Sequence, residues 1–151
     1  MKKKTMAIIG GIVCVVLIAA AAACWLTDYS VALKANWGFS LPLRAGCTEI
    51  YAADTGPSFH GDGTRYHVFS YKREDPIASM LAWTEEGGAT LYHASCREAA
   101  EEWLDELDIP AELRPDFENC VYWHDIRSGN CEIIVFWNKT EEILATLEFL
   151  M

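Results

Sequence analysis

Basic residues are scarce in this chain of 151 residues. Acidic residues outnumber them 22 to 12, and three of the 12 are Lys2, Lys3 and Lys4 at the N-terminus. From Asp28 onward, 9 basic residues therefore stand against 22 acidic ones, a formal net charge of −13. Phosphate backbones and anionic membrane surfaces repel such a charge. The composition argues against nucleic-acid binding.

The short motifs that identify common catalytic and metal sites are absent as well. The sequence contains no H-E-x-x-H, no paired C-x-x-C and no glycine-rich loop ending in Gly-Lys-Ser/Thr. Proline and glycine total only 15 residues, while 52% of the chain is hydrophobic, which is typical of a folded domain. We expect one domain with no catalytic residue, no resident metal and no cofactor.

Charge is missing altogether between Lys4 and Asp28. Met6 to Leu26 forms an apolar run of 21 residues, and roughly 20 such residues span a bilayer as a helix. Lysines before the run and an acidic domain after it predict a cytoplasmic N-terminus and an extracytoplasmic domain at the cell membrane. The membrane is thus the first expected partner.

Three fates of this N-terminal segment, residues 1–27, remain open. It has the length of an uncleaved transmembrane anchor. Its basic start and the small residues Ala19 to Ala23 also suit a signal peptide and simple secretion. Cys24 follows Ala21-Ala22-Ala23, an imperfect lipobox that makes Cys24 a candidate for lipidation in a lipoprotein.

Downstream, residues 28–36 are expected to form a juxtamembrane stalk and residues 37–151 the extracytoplasmic domain. Short runs of aromatic and β-branched residues bounded by turn residues predict the strands of that domain. Trp37 to Leu41 is a candidate for a first short strand. Five longer runs are strand candidates after it: Thr48 to Thr55, Arg65 to Tyr71, Phe117 to Ile126, Cys131 to Asn138 and Ile143 to Leu150.

Two helices are expected between the second and third of these strands. Asp75-Pro76 is an N-cap and first-turn pair, and apolar residues at helical spacing follow until Gly87-Gly88. Ser95 with Glu98 reads as the capping box of a second helix. Its apolar face is Ala99, Ala100, Trp103, Leu104 and Leu107, and its acidic face is Glu98, Glu101, Glu102, Asp105 and Glu106.

The last three strands favour an antiparallel sheet. With Ser128-Gly129 as a two-residue turn, Cys120, Tyr122 and His124 share a face with Trp137, Val135 and Ile133. Apolar residues on both faces suggest interior strands. The predicted fold class is α+β: an antiparallel sheet of about five strands with two helices on one face, preceded by an N-terminal transmembrane or signal helix.

Cysteine usage leaves two alternatives. Four cysteines lie outside the N-terminal segment: Cys47, Cys96, Cys120 and Cys131. Because this is an even number in an exported domain, disulfides can form. The predicted hairpin separates Cys120 from Cys131 by roughly 15–20 Å, too far for a bridge. Free buried thiols are the alternative, because cysteine packs as a small hydrophobe.

The loop between the first two predicted strands is the segment in which local chemistry exceeds the needs of a turn. Asp54-Thr55-Gly56-Pro57-Ser58-Phe59-His60-Gly61-Asp62-Gly63 resembles a pattern in small uncharacterised bacterial proteins that are membrane-anchored or lipoprotein-like. The match lies in Phe-His-Gly-Asp-Gly. The resemblance implies an anchored protein and a hairpin, and it implies no activity.

Two functions follow as hypotheses. The first is a noncatalytic domain that binds a protein, peptide or envelope component through Phe59, His60 and Asp62 or through the acidic helix face. The alternative is a small cell-envelope hydrolase or thiol enzyme that uses His60 and Asp62, or Cys96 placed near a helix N-terminus, where the helix dipole lowers a thiol pKa.

Overall fold

The computed structural model describes residues 29–56, 62–84, 91–127 and 131–151, without the side chains of residues 91–95. The chain divides into two compact units, Met1–Leu41 and Pro42–Met151. The predicted segment Met6 to Leu26 lies outside the described residues. Within those residues, no helix combines the length and hydrophobicity that crossing a bilayer requires.

The described part of the first unit is mainly helical. Residues 29–37 form a helix, and Gly38 follows it with a φ of +85°. The Gly38 amide donates to the Lys34 carbonyl at 3.1 Å, which closes the last turn. The predicted short strand from Trp37 to Leu41 is therefore wrong, because a glycine in the left-handed conformation ends a helix at the point where the strand was expected to begin.

The second unit is built on an antiparallel sheet. In the described residues, five strands form it in the order β1-β2-β5-β4-β3. Their bounds are β1 Thr48–Asp54, β2 Gly63–Ser70, β3 Val121–Ile126, β4 Glu132–Asn138 and β5 Ile143–Leu150. The predicted α+β class and the five-stranded antiparallel sheet are confirmed.

Two α-helices of unequal length lie between β2 and β3. Helix α1 is the single turn Asp75–Ala78, and helix α2 is Leu91–Glu106. The helix predicted to run from Asp75 to the glycine pair therefore ends early: the Ser79 amide closes the turn, and Thr84 pairs with Tyr122 beside β3.

Helix α2 packs on one face of the sheet, called here the helix face. Its buried residues Cys96, Ala100, Trp103 and Leu104 meet buried side chains from four strands: Tyr66, Val68, Tyr122, Ile134, Phe136, Ala145 and Leu147. The expected apolar stripe is present, since Trp103 is only 9% exposed. The predicted capping box is wrong, because α2 begins at Leu91 and Ser95 lies inside it.

The hairpin of β3 and β4 differs from its predicted register by one residue. Tyr122 lies opposite Phe136, and His124 opposite Ile134, so the partners Val135 and Ile133 expected for these two residues are wrong. The Arg127 amide donates to the Cys131 carbonyl, which leaves three residues in the connection instead of two. A one-residue slip moves every partner to the other face of its strand.

The last three strands were expected to lie in the interior of the sheet, and this is confirmed for β4 and β5 only. Both are interior strands with buried residues on both faces, for example Val135 and Phe136. Strand β3, for which the same was expected, lies at the edge of the sheet. Its backbone is partly covered on the outer side, since the amide of Thr84 donates to the carbonyl of Tyr122 at 2.8 Å.

Candidate functional site

The chain after α2 turns sharply and crosses back over the sheet. The Ile109 amide donates to the Leu104 carbonyl at 3.0 Å, while Asp108 has a φ of +56°. This is the pattern of a Schellman cap, with aspartate in the left-handed position that glycine usually takes. Pro110 and a short 3₁₀ turn, Ala111–Leu113, follow, so the segment is directed away from the helix axis.

Two side chains hold this crossing segment in place. The Tyr66 hydroxyl donates to the Leu113 carbonyl at 2.7 Å, which ties the segment to β2. Burial, and next the neighbouring Cys120 thiol, raise the pKa of Tyr66, so the phenol stays a neutral donor. Arg114 donates to the carbonyl of Ile109 at 2.8 Å and to the carboxylate of Asp105 at 2.6 Å, which fixes the segment to the end of α2.

A groove opens between the crossing segment and the helix face. Its volume is about 100 Å³ and its wall is largely apolar, with contributions from β1, β2, β4, β5 and residues 112–116. The lining residues are Ile50, Tyr66, Val68, Glu112, Leu113, Arg114, Pro115, Asp116, Cys120, Phe136, Asn138, Glu141, Ile143 and Ala145. Ordinary small-molecule sites measure roughly 300–1,000 Å³. The groove is thus too small for a nucleotide-sized cofactor and suits a single side chain.

Three exposed residues with carboxylates, called here the groove rim, are among those that line the groove: Glu112, Asp116 and Glu141. None of them takes part in an ion pair within the described residues. Asp116 accepts from the Asn119 side-chain amide at 2.6 Å, which is the main cause of its lowered pKa. The cation that lines the groove, Arg114, is already bound to Asp105.

Asn138 shapes the end of the groove beside β5. Its side-chain oxygen accepts from the amides of Thr140 and Glu141 at 3.0 and 3.1 Å, and its side-chain amide donates to the Glu141 carboxylate at 3.3 Å. Asn138 is 3% exposed, so this turn is firmly held. The carboxylate of Glu141 is thereby positioned at the rim.

The acidic face of α2 is less negative than the sequence indicates, since arginines partly neutralise it. Arg97 pairs with Glu101 at 2.9 Å and with Glu118 at 2.6 Å, and Arg114 pairs with Asp105. The Glu106 carboxylate accepts from the Thr64 hydroxyl at 3.1 Å. Glu98 and Glu102 remain as exposed carboxylates without an ion pair in the described residues.

Cys96 does not have the surroundings of a reactive thiol. It is the sixth residue of α2 and is 4% exposed, so the expected placement near the helix N-terminus is wrong. Burial, with a smaller contribution from the Glu132 carboxylate, raises the pKa of this thiol to about 11. Cys96 and Cys120 line a second cavity of only about 10 Å³, the size of one water.

His124 and Glu132 lie on the same face of the sheet as Cys96. Their side chains meet across the β3–β4 hairpin, with 2.6 Å between Nε2 and Oε1. A matching pair, His67 Nδ1 with Glu49 Oε1 at 2.6 Å, links β1 and β2. Each pair joins neighbouring strands, and within the described residues no three His, Cys, Asp or Glu side chains are grouped as a metal site needs.

The predicted loop site is described only in part. Phe59 and His60 lie outside the described residues, as does Cys24. Asp62 is exposed and directly precedes β2. It therefore lies at the end of the sheet where β1 ends at Asp54 and β5 ends at Leu150. The groove extends towards the opposite end, where Asn138 pairs with Ile143. The structure therefore does not bring Asp62 together with the groove.

Structural roles account for several residues beside this loop. The Asp54 carboxylate accepts from the Gly56 amide at 2.7 Å in a local turn. The Thr55 side chain accepts from the Thr64 amide at 3.1 Å. Gly63 has a φ of +136°, and a Cβ atom there would overlap the Thr55 hydroxyl oxygen. In the described residues no disulfide joins the cysteines Cys47, Cys96, Cys120 and Cys131.

The groove rim was missed from the sequence. Its carboxylates belong to a 3₁₀ turn, a loop and the β4–β5 turn, and acidic residues in turns are common on any soluble surface. Only the folded chain brings Glu141 to the segment that carries Glu112 and Asp116. Comparison of the chain with known protein families, with curated proteins and with solved structures gives no match.

Proposed function

We propose that this protein is a membrane-anchored, noncatalytic binding module whose domain lies outside the cytoplasm and binds a protein or peptide. The observation that carries the proposal is the apolar groove of about 100 Å³ with its three carboxylates. A recess of this size accepts one side chain of a partner, and a polar rim around an apolar centre is the usual arrangement of a protein interface.

The anchor is part of this proposal. Lys2 to Lys4 and the apolar run Met6 to Leu26 support insertion with the acidic domain on the outer side. An uncleaved transmembrane helix and a diacylated or triacylated Cys24 would both retain the domain at the membrane. They differ in mass, since only the uncleaved form keeps Met1.

Fractionation of intact cells tests the anchor. We expect the chain to stay in the membrane pellet after a carbonate wash and the domain to be digested by protease added outside. Intact mass then distinguishes the two anchored forms. Release of the full domain into the medium would contradict the anchored part of the proposal.

Site-directed photocrosslinking tests the binding site. A benzoylphenylalanine placed at Glu112 reports on the groove rim, and one at Phe59 reports on the loop. The matched control is Glu102, an exposed carboxylate on α2 without an ion pair in the described residues. We expect one defined adduct from position 112 and none from position 102. An adduct from position 59 alone would assign binding to the loop, and equal yields at 112 and 102 would argue against a site in the groove.

A further inference from the structure

We infer that the groove binds a lysine side chain of a peptide or protein partner, with the aliphatic stem inside and the ammonium at the groove rim. The inference rests on the proposed binding function and makes it more specific. It follows from three properties of the groove: its volume, its apolar wall and its uncompensated charge.

The volume limits the size of the occupant. At about 100 Å³, the groove has room for one side chain, and the stem of a lysine is of that size. Val68, Ala145 and Ile143 supply methyl and methylene groups along its floor. A chain that lies on this floor removes apolar surface from water on both sides.

The charge selects the end group. Glu112, Asp116 and Glu141 carry three negative charges at the rim and have no cationic partner within the described residues. Arg114 adds little attraction for an anion, because its guanidinium is bound to Asp105 and to the carbonyl of Ile109. A carboxylate or phosphate in the ligand would therefore be repelled, whereas a cation would be attracted.

The arrangement of the carboxylates favours lysine over arginine. Glu112 and Asp116 come from the crossing segment and Glu141 comes from the β4–β5 turn, so the three carboxylates do not form one planar acceptor. The lysine ammonium is a compact charge with three donors that can point to different acceptors. The guanidinium of arginine is planar and is best matched by a single carboxylate that accepts two parallel hydrogen bonds. Lysine also keeps its long stem in apolar surroundings while its charge stays in water.

Titration of the ¹⁵N-labelled full chain in non-ionic detergent tests the inference. The probe is acetyl-Gly-Gly-Lys-Gly-Gly-amide, and three relatives replace lysine with norleucine, arginine or 2,3-diaminopropionate. We expect the lysine peptide to shift the amide signals of Leu113 and Glu141. We also expect it to bind at least fivefold more tightly than the norleucine peptide, which lacks the charge, and at least tenfold more tightly than the diaminopropionate peptide, which lacks most of the stem. The arginine peptide should bind at least threefold more weakly than the lysine peptide.

A charge-matched pair of variants controls for the net charge of the domain. Glu112→Gln with Glu141→Gln removes two carboxylates from the rim. Glu98→Gln with Glu102→Gln removes two exposed carboxylates from α2. Both double variants change the net charge by the same amount, and neither changes a buried residue. We expect the rim variant to weaken lysine binding at least fivefold and the α2 variant to change it less than twofold.

Each result decides the inference. Equal binding of the lysine and norleucine peptides, equal or tighter binding of the arginine peptide, equal effects of the two double variants, or no shift at millimolar peptide would overturn it. Such a failure is distinct from failure of the proposed function. A crosslinked partner at position 112 would then keep the binding module and remove only its preference for lysine.

Discussion

Replacement of Trp103 by alanine is the most direct test of how α2 is packed. Trp103 is 9% exposed, and its ring stacks on Phe149 of β5 with the centroids 5.3 Å apart and the planes 10° apart. The preceding residue, Glu102, is exposed. Two neighbouring positions on one helix therefore lie in opposite environments, and they give a perturbation and its control.

The expected cost follows from the buried area. An aromatic side chain buries roughly 150–250 Å², which at about 25 cal/mol per Å² corresponds to roughly 4–6 kcal/mol. This is an upper value, since the unfolded chain already hides part of the ring. The cavity left by the ring adds to the cost, and relaxation of the neighbours reduces it. We expect Trp103→Ala to lower the free energy of unfolding by about 3–5 kcal/mol.

Urea unfolding of the full chain in non-ionic detergent, followed by far-ultraviolet circular dichroism, measures this loss. Trp103→Phe keeps an aromatic ring against Phe149, and we expect it to cost only about 1–2 kcal/mol. Glu102→Ala should change stability by less than about 0.5 kcal/mol. If Trp103→Ala costs less than about 1 kcal/mol, or no more than Glu102→Ala, the assignment of the buried face of α2 is wrong.

Two further predictions concern a glycine and a thiol. Gly63→Ala should lower the free energy of unfolding by about 2 kcal/mol or more, because the new Cβ meets the Thr55 side chain. Gly56→Ala should lower it by only about 1 kcal/mol, because a φ of +92° is strained for alanine but the space beside Gly56 is open. Equal losses of the two variants in urea unfolding would refute the overlap at Gly63. For Cys96, burial raises the pKa from about 9 to about 11, so the stability advantage of the parent over Cys96→Ala is complete below pH 9. As pH rises from 9 to 11, the unfolded thiol ionises while the folded one stays protonated, and the advantage should fall by roughly 1–3 kcal/mol; an advantage that does not change with pH in the same urea assay would contradict the burial of the thiol.

The sequence is sufficient to locate most strands because their residue patterns are strong. Strand β4, for example, is a run of β-branched and aromatic residues that ends at Asn138, a turn residue. Such runs predict strands whether or not the partners are known. The expected bounds of β4 and β5 differ from those observed by at most one residue.

The errors arise where a local signal competes with tertiary structure. Ser95 and Glu98 have the spacing of a capping box, yet a longer helix places them inside α2. In the β3–β4 hairpin, Ser128-Gly129 has the composition of a two-residue turn, but the observed register has one residue more in the connection. The one-turn helix α1 ends at Ala78, and the chain after it reaches the sheet edge, where Thr84 pairs with Tyr122. The spacing of apolar residues after Asp75 does not reveal this pairing.

The groove was beyond prediction for the same physical reason. Its floor requires the neighbours β2, β5 and β4 in the correct order, and its cover requires Tyr66 to hold Leu113 across 47 positions of the chain. The sequence pointed to the loop around Phe59 instead, because local composition is visible without a fold. Photocrosslinking from positions 112 and 59 compares binding at the groove with binding at the loop in one experiment.

The overall acidity of the chain is a poor guide to where a cation would bind. At physiological ionic strength, charges more than about 8 Å apart are largely screened in solvent. The formal charge of −13 therefore acts mainly through its local distribution. On α2, Arg97 and Arg114 neutralise part of the acid, whereas at the groove rim Glu112, Asp116 and Glu141 have no cationic partner in the described residues. A ligand attracted only by the net charge of the domain would bind the acidic face of α2 and the groove rim equally, and salt would displace it from both. A lysine held in the groove also gains from its buried stem, which salt does not screen, so its binding should retain a component at high salt that a purely surface-bound cation lacks.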